Sequence, residues 1–283
     1  MEIARIRRLE ERDIDDAIAL TDLESWGYTR ADFRRLLFLS PDGCLATEIE
    51  DRLVGVLTTT TYDGLAFLGA VIVRPGLRDQ GLGKRMMEAA LDHLRTRGVE
   101  TVRLNAYLRA IPFYERLGFR PEYEVVRWRG TDPGGPVFGI RPVRLADLPS
   151  LIAFDAPFFG ARRDRLLARL AEEFPETFLV AIRGGRMRGY LVGNPSGDSC
   201  EIGPWVVEPG FPGIARSLFH ALTAASGARS IAFSGPDPNE DLRDFVRYAR
   251  LEEVFRTRRM GYGQDRFSDR SEGTWALAGL EKG

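Results

Sequence analysis

Residues 74–84 read Arg-Pro-Gly-Leu-Arg-Asp-Gln-Gly-Leu-Gly-Lys, between the apolar run Leu-Gly-Ala-Val-Ile-Val and a helix-patterned run that begins Arg-Met-Met. A glycine-rich turn that opens a helix is suited to an anion. The first helical turn has unpaired N–H groups and the positive end of the dipole. Gly81 and Gly83 let the backbone approach a ligand with no Cβ in the way, and Arg78 and Lys84 add charge. The bland alternative is an ordinary glycine turn. Two phosphate motifs fail outright. A dinucleotide fingerprint needs glycine three residues after Gly83, where Met86 stands, and a nucleoside-triphosphate loop needs Ser or Thr where Arg85 stands.

A second group with chemistry lies in Ala-Ile-Pro-Phe-Tyr-Glu-Arg-Leu-Gly-Phe, residues 110–119. Tyr114 falls 31 residues after Gly83 and carries a phenol that can donate a proton; its plain alternative is a core aromatic beside Phe113. A strand, Arg-x-x-Gly-x-Gly, a helix, a second strand and a helix ending Tyr-x-x-Leu-Gly-Phe together resemble the GNAT superfamily of N-acetyltransferases, over roughly residues 3–128. The resemblance implies acetyl-CoA as co-substrate. Its pyrophosphate would rest on Arg78 and on the amides of Asp79, Gln80, Gly81, Leu82, Gly83 and Lys84. Its pantetheine arm would pair with the preceding strand at Ile72 and Val73, and an N–H of that strand would stabilise the oxyanion. Tyr114 would protonate the departing thiolate. The family often has asparagine seven residues before this tyrosine; here Tyr107 stands there and Asn105 two positions earlier, a departure that leaves the adenosine-side contacts open, with Asn105 and Tyr107 as cofactor-binding candidates. Trp26 and Tyr28 border the acceptor region, as pocket wall or as core. No general base is legible: Glu24, Glu48 and Asp63 are candidates by chain region only. His93, mid-helix, reads as a surface or satisfied histidine.

The elements that must position these groups are written twice. Placing residue n against n + 134 aligns Ile6-Arg7 with Ile140-Arg141, Gly55 with Gly189, and Val73-Arg-Pro-Gly with Val207-Glu-Pro-Gly. Each half then reads as a strand, one or two helices, and a hairpin turning at Glu50-Asp51 or Gly184-Gly185. An apolar strand, a helix ending at Gly98 or Gly227, a strand, a short helix and a last strand follow. The expected fold is α/β: two tandem GNAT-like domains, each a mixed, mostly antiparallel twisted sheet flanked by helices. The expected boundaries are 1–130 for the catalytic domain, 131–137 for a Pro/Gly-rich linker and 138–283 for a divergent domain.

The second copy has lost the phosphate loop. After Gly210 the best offset falls from 134 to 129, which removes five residues, and just before it Glu208 replaces Arg74. Val246 stands where Tyr114 stood, with Tyr248 two positions off register. The second half is therefore expected to be non-catalytic. Its stretch Phe154–Leu167 is similar to one in tandem members of the superfamily, with Arg162 in place of an acid. Asp155 and Phe159 are substrate-side candidates there, and Arg163 a neighbour, against a plain helix cap with an apolar face.

Composition removes other classes. Forty basic residues balance 41 acidic ones, a net charge of −1, so nucleic acid and acidic membranes are not expected partners. Only two basic residues, Lys84 and Lys282, are lysine. Two distant cysteines, Cys44 and Cys200, and two histidines make a poor zinc site and no expected disulfide. With no signal peptide and no long apolar run, a cytoplasmic enzyme is expected, either a monomer with pseudo-dimeric domains or a homodimer. The expected reaction is acetyl transfer to a primary amine of a small molecule by direct attack, in the N-terminal domain. A non-turning-over acetyl-CoA or ligand sensor, and a protein N-acetyltransferase, are the alternatives.

Overall fold

The computed structural model describes residues 4–283; residues 1–3, the start of the expected first domain, lie outside the described residues. The first half runs β1 (Arg5–Arg8), α1 (Ile14–Asp22), α2 (Arg30–Leu39), β2 (Leu45–Ile49), β3 (Arg52–Tyr62), β4 (Leu65–Val73), α3 (Leu82–Thr96), β5 (Thr101–Tyr107), α4 (Ile111–Arg116) and β6 (Arg120–Gly130). The second repeats it as β7 (Ile140–Pro142), α5 (Leu148–Phe159), α6 (Asp164–Glu173), β8 (Phe178–Arg183), β9 (Arg186–Ser196), β10 (Ser199–Val207), α7 (Pro212–Ser226), β11 (Ser230–Pro236), α8 (Glu240–Tyr248) and β12 (Glu252–Gly263). One element has no counterpart: β13 (Thr274–Ala276).

Local chemistry sets these boundaries. Both hairpins close with two residues at positive φ, Glu50 and Asp51 in one half and Gly184 and Gly185 in the other, the backbone that a tight two-residue turn requires. In α2, Thr29 caps the helix and Asp32 reaches back to the Thr29 N–H. In α3, Leu82, Met86, Met87, Ala90 and Leu94 form one buried stripe, packed on the sheet by Leu57, Leu68 and Leu104. The central strands β3 and β4 are buried almost end to end, because helices cover both their faces.

The sheet is mixed and mostly antiparallel; among the described residues, parallel pairing occurs only between β4 and β5 and between β10 and β11. It is also continuous. Its order is β1-β2-β3-β4-β5-β12-β6-β11-β10-β9-β8-β7, with β13 on β10. The two last strands have changed places: β12 pairs with β5, β6 pairs with β11, and β6 and β12 pair with each other. Each half was expected to carry its own sheet, but each completes the sheet of the other. A hydrophobic cluster does the same, joining Leu39, Tyr62, Leu65 and Phe67 of the first half to residues of α5, α6, β8 and β9. The connection between the halves, 131–139, has neither helix nor strand, and Asp132 is held by His220 Nδ1 at 2.6 Å. Among the described residues no helix is long and apolar enough to cross a membrane.

The exchange carries an expected outcome. Residues 1–137 alone lack β11 and β12, so β5 loses one neighbour and exposes an edge, and β6 loses both of its neighbours. Size-exclusion chromatography of that fragment is expected to show a dimer or aggregate; a stable, cooperatively folding monomer would show that β6 closes on β5 unaided.

Candidate active site

The site begins where two parallel strands part. β4 and β5 pair from Leu65–Thr101 to Leu68–Leu104 and no further, so β4 from Gly69 onward has no neighbour on that side. At the same point β4 gains a residue relative to β3, between the Thr58–Gly69 and Val56–Ile72 pairs, and Ala70 has φ +45°. The gap opens into a cavity of about 840 Å³, lined along one wall by Gly69 to Val73 and along the other by Leu104, Asn105, Tyr107 and Tyr114.

Eight residues, 74–81, lead from the mouth of this gap into α3. Gly81 is the N-cap at φ +80° and provides no side-chain cap, so the first N–H groups of α3 face outward without a side-chain partner. Arg78 folds back on β4, its Nε donating to Val73 O at 3.0 Å and its Nη2 to Glu24 at 2.6 Å. Arg109 donates to the other Glu24 oxygen at 2.5 Å. These two hydrogen bonds, Arg78 first, hold the Glu24 carboxyl below its usual range. Tyr114 comes from α4, packed between Phe113 and Phe119 with centroids 5.1 and 5.9 Å away. Burial raises its phenol well above the ordinary value, so it stays protonated at neutral pH.

The second half has the same break and fills it with its own chain. β10 and β11 pair in parallel only from Ser199–Ser230 to Ile202–Phe233, and β10 gains its extra residue between Ile202 and Trp205. Gly203 there matches Gly69 at the offset of 134. Into this gap comes β13, pairing antiparallel with β10 at Trp205–Ala276 and Val206–Thr274, while Leu277 N donates to Ser234 O of β11 at 2.8 Å. The loop beyond is four residues, 208–211, against eight, one residue less of a loss than the sequence alignment implied. Glu208 is paired with Arg188, and Pro212 opens α7.

The cavity brings together most of the residues expected from sequence: Ile72, Val73, Arg78, Asn105, Tyr107, Tyr114, Trp26 and Tyr28 all line it. Trp26 stacks on Tyr107 with centroids 6.4 Å apart, and Phe255 of β12 packs on the other flank of Tyr107 at 5.4 Å. Asp79, Gln80, Gly81, Leu82, Gly83 and Lys84 do not line the cavity: Asp79, Gln80, Gly81 and Lys84 are exposed, Gly83 is half-buried and Leu82 is buried. Asn105 is already engaged: its Nδ2 donates to Leu280 O at 2.7 Å.

Two expectations need correction. Asp155 and Phe159 do not line this cavity. Asp155 is fully buried and bound by Arg163 at 2.6 and 2.8 Å and by the Tyr190 hydroxyl at 2.6 Å; Phe159 packs between Tyr62 and Phe67. Phe159 belongs to the contact between the halves, whereas Asp155 is bound within the second half. Nor do the acidic candidates fit a base. Glu24 is held by two arginines, Glu48 is paired with Arg7, and Asp63 sits in the β3–β4 turn.

Comparison with known proteins agrees with this geometry. The model described as acetyltransferase (GNAT) family matches residues 7–119, and the one described as acetyltransferase (GNAT) domain matches residues 151–276. The chain belongs to the GNAT acetyltransferase family. It is 24% identical over 279 residues to holothin acyltransferase of Pseudoalteromonas sp. (strain SANK 73390), covering 97% of this chain and 92% of that one. A solved protein from Pyrococcus horikoshii superposes with TM-score 0.84 at 23% identity, covering 99% of this chain and 96% of that one. A tandem GNAT protein from the clavulanic acid biosynthesis pathway gives TM-score 0.64 at 16% identity, covering 92% and 98%. Acyl transfer is thus the reaction class, and the tandem arrangement is shared.

What sequence reading missed is the far end of the GNAT cavity, built by Asp32, Arg35, Arg127, Glu201, Glu281 and Lys282. Arg127 grips Glu201 with both Nη atoms, at 2.5 and 2.7 Å, while burial pushes the Glu201 carboxyl up against that pull. Arg35 bridges Asp32 and Glu173. The one available signal was compositional: one of only two lysines in the chain follows Glu281.

The buried pair gives a stability test. Arg163→Ala takes away the ionic partner of Asp155, whose side chain is 0% exposed and keeps only the Tyr190 hydroxyl, an expected loss of about 3–5 kcal/mol in urea unfolding. A loss under about 1 kcal/mol would mean the pair is not closed in solution.

Proposed function

We propose that this chain transfers an acetyl group from acetyl-CoA to a primary amine of a small molecule, and that only the N-terminal half does so. The observation that carries the reading is the contrast between two equivalent gaps. The β4–β5 gap is lined by an unpaired strand edge and leads to an uncapped, glycine-bearing helix end. The β10–β11 gap is taken by β13 and leads to a short loop bearing Glu208. An extended pantetheine arm can add to the β4 edge as a strand would, and a pyrophosphate suits the outward N–H groups of α3.

In this reading the amine nitrogen attacks the thioester carbonyl carbon and the C–S bond breaks. A backbone N–H near the β4 bulge stabilises the oxyanion, Tyr114 gives its proton to the CoA thiolate, and the proton that the amine nitrogen loses on becoming an amide goes to solvent, from which Tyr114 is restored. The acceptor is taken to be small because both halves line the cavity: Phe255 of β12, Asn194 of β9 and Glu201 of β10 share its wall with Trp26 and Tyr107. A protein acceptor needs an open cleft.

Isothermal calorimetry with acetyl-CoA tests the cofactor. Binding is expected, and no heat at millimolar concentration would end the reading. Gly81→Val forces a branched side chain into φ +80° at the helix cap and is expected to weaken binding at least tenfold. CoA release across a panel of alkyl, arylalkyl and polyamine acceptors tests turnover; binding without release would favour a sensor. Tyr114→Phe is expected to lower kcat by about 100-fold or more, with acetyl-CoA affinity unchanged. Because its phenol is held high, protonated Tyr114 is lost only as pH rises past that raised value. No alkaline limb in kcat is therefore expected from Tyr114 below about pH 10.

A further inference from the structure

Past β13 the chain crosses into the first half and lies against the β4 bulge. A Cβ at Gly69 would collide with the Cα and Cβ of Glu281. This is the counterpart of Gly203, where a Cβ would collide with Leu277 O. The segment is held at four successive carbonyls. Asn105 Nδ2 donates to Leu280 O at 2.7 Å, Thr60 Oγ1 to Glu281 O at 3.4 Å, Tyr62 OH to Lys282 O at 2.8 Å, and Arg163 Nη1 to Gly283 O at 3.1 Å. Donors from both halves thus fix the backbone of a segment with no helix or strand. Glu281 and Lys282 are 7% and 5% exposed and both line the cavity.

The side chain so placed differs from its neighbours. The other carboxylates lining the cavity are committed to arginines: Glu24 to Arg78 and Arg109, Asp32 to Arg35, and Glu201 to Arg127 in a two-pronged pair. Glu281 is paired instead with Lys282 Nζ. An ammonium is a compact point charge on a flexible stem and can be replaced by another ammonium, whereas a forked guanidinium pair is far more fixed. The structure therefore has a primary amine seated on a carboxylate at the end of the gap where, on the reading above, the thioester would lie.

We infer that Glu281 is the missing base: its carboxylate receives the acceptor's ammonium in place of Lys282 and takes its proton. This rests on acetyl transfer in the N-terminal half. The ammonium N–H bond gives its proton to a Glu281 oxygen, and the freed lone pair forms the N–C bond to the acetyl carbon. The C–S bond breaks and the thiolate takes the Tyr114 proton; the new amide nitrogen loses its second proton to solvent, Tyr114 regains one from solvent, and Glu281 later releases its own, so that one proton is released overall. The charged and titratable groups facing Glu281 are Tyr28 before α2, Tyr62 on β3, Arg127 on β6, Glu201 on β10 and Lys282 beside it. The nearby carboxylate adds to burial in raising the Tyr28 phenol, so that hydroxyl remains a donor to it.

The test is kinetic, in the full chain, with the amine from the panel that gives the fastest CoA release. Glu281→Gln keeps shape and removes the base. It is expected to lower kcat/KM about 100-fold or more, with acetyl-CoA affinity within twofold and the acidic limb of the pH profile abolished. Glu281→Asp is expected to recover part of the rate and keep that limb. Lys282→Met removes the resident ammonium and is expected to raise kcat/KM. Glu281→Gln within threefold of the parent, or with its acidic limb intact, overturns the inference and leaves acetyl transfer standing. So does a Lys282→Met loss as large as that of Glu281→Gln, because the pair would then be structural. A parent chain that binds acetyl-CoA but releases no CoA with any amine overturns both this and the transfer reading; no acetyl-CoA binding is the failure of the transfer reading itself.

Discussion

Two parallel strands that part must leave backbone N–H and C=O groups without a partner, and a protein interior does not tolerate that. This chain meets the problem twice, at the same offset, and answers it differently. Beyond Ile202 the β10–β11 gap is closed by β13, so the second half is complete without a ligand. Beyond Leu68 the β4–β5 gap is left as one wall of the cavity, with only the segment around Glu281 pressed against its base. A strand edge kept open inside a fold is a binding site for something extended. The loop beyond the filled gap is also the shorter one, four residues at 208–211 against eight at 74–81.

The exchange of β6 and β12 makes this possible. It welds the halves into one sheet, which brings β11 and β12 next to the first half and lets a single tail serve both gaps. The apolar cluster shared by Phe67, Tyr62 and Phe159 holds the same seam from the other side, and Arg163, bound to Asp155, lies over the Phe159 ring. Arg163 then reaches the tail carbonyl of Gly283, so the contact between the halves and the placing of Glu281 are one piece of structure. The second half works as a frame for the first.

The parts of this that were legible in sequence are those set by local chemistry. Two-residue turns, the glycine loop and the spacing from Gly83 to Tyr114 need only a few neighbouring residues, and the repeat at 134 carried them from one half to the other. The exchange was illegible because β6 and β12 are both suitable last strands, and which partner each chooses is decided by contacts over 100 residues away in the chain. Asp155 and Phe159 were misread for a related reason. An acid among aromatics looks the same in sequence whether it faces a ligand or a buried arginine. The tail escaped notice because a three-residue strand and a turn have no periodicity to detect.

The central claim is that one gap is a cofactor slot and its twin is closed by the protein. A crystal structure with acetyl-CoA tests it most directly. The account requires the pantetheine arm beside Gly69–Val73, the pyrophosphate against residues 79–84, and β13 still paired with β10. Cofactor lying along β10 with β13 displaced, or bound anywhere other than the β4–β5 gap, would contradict it.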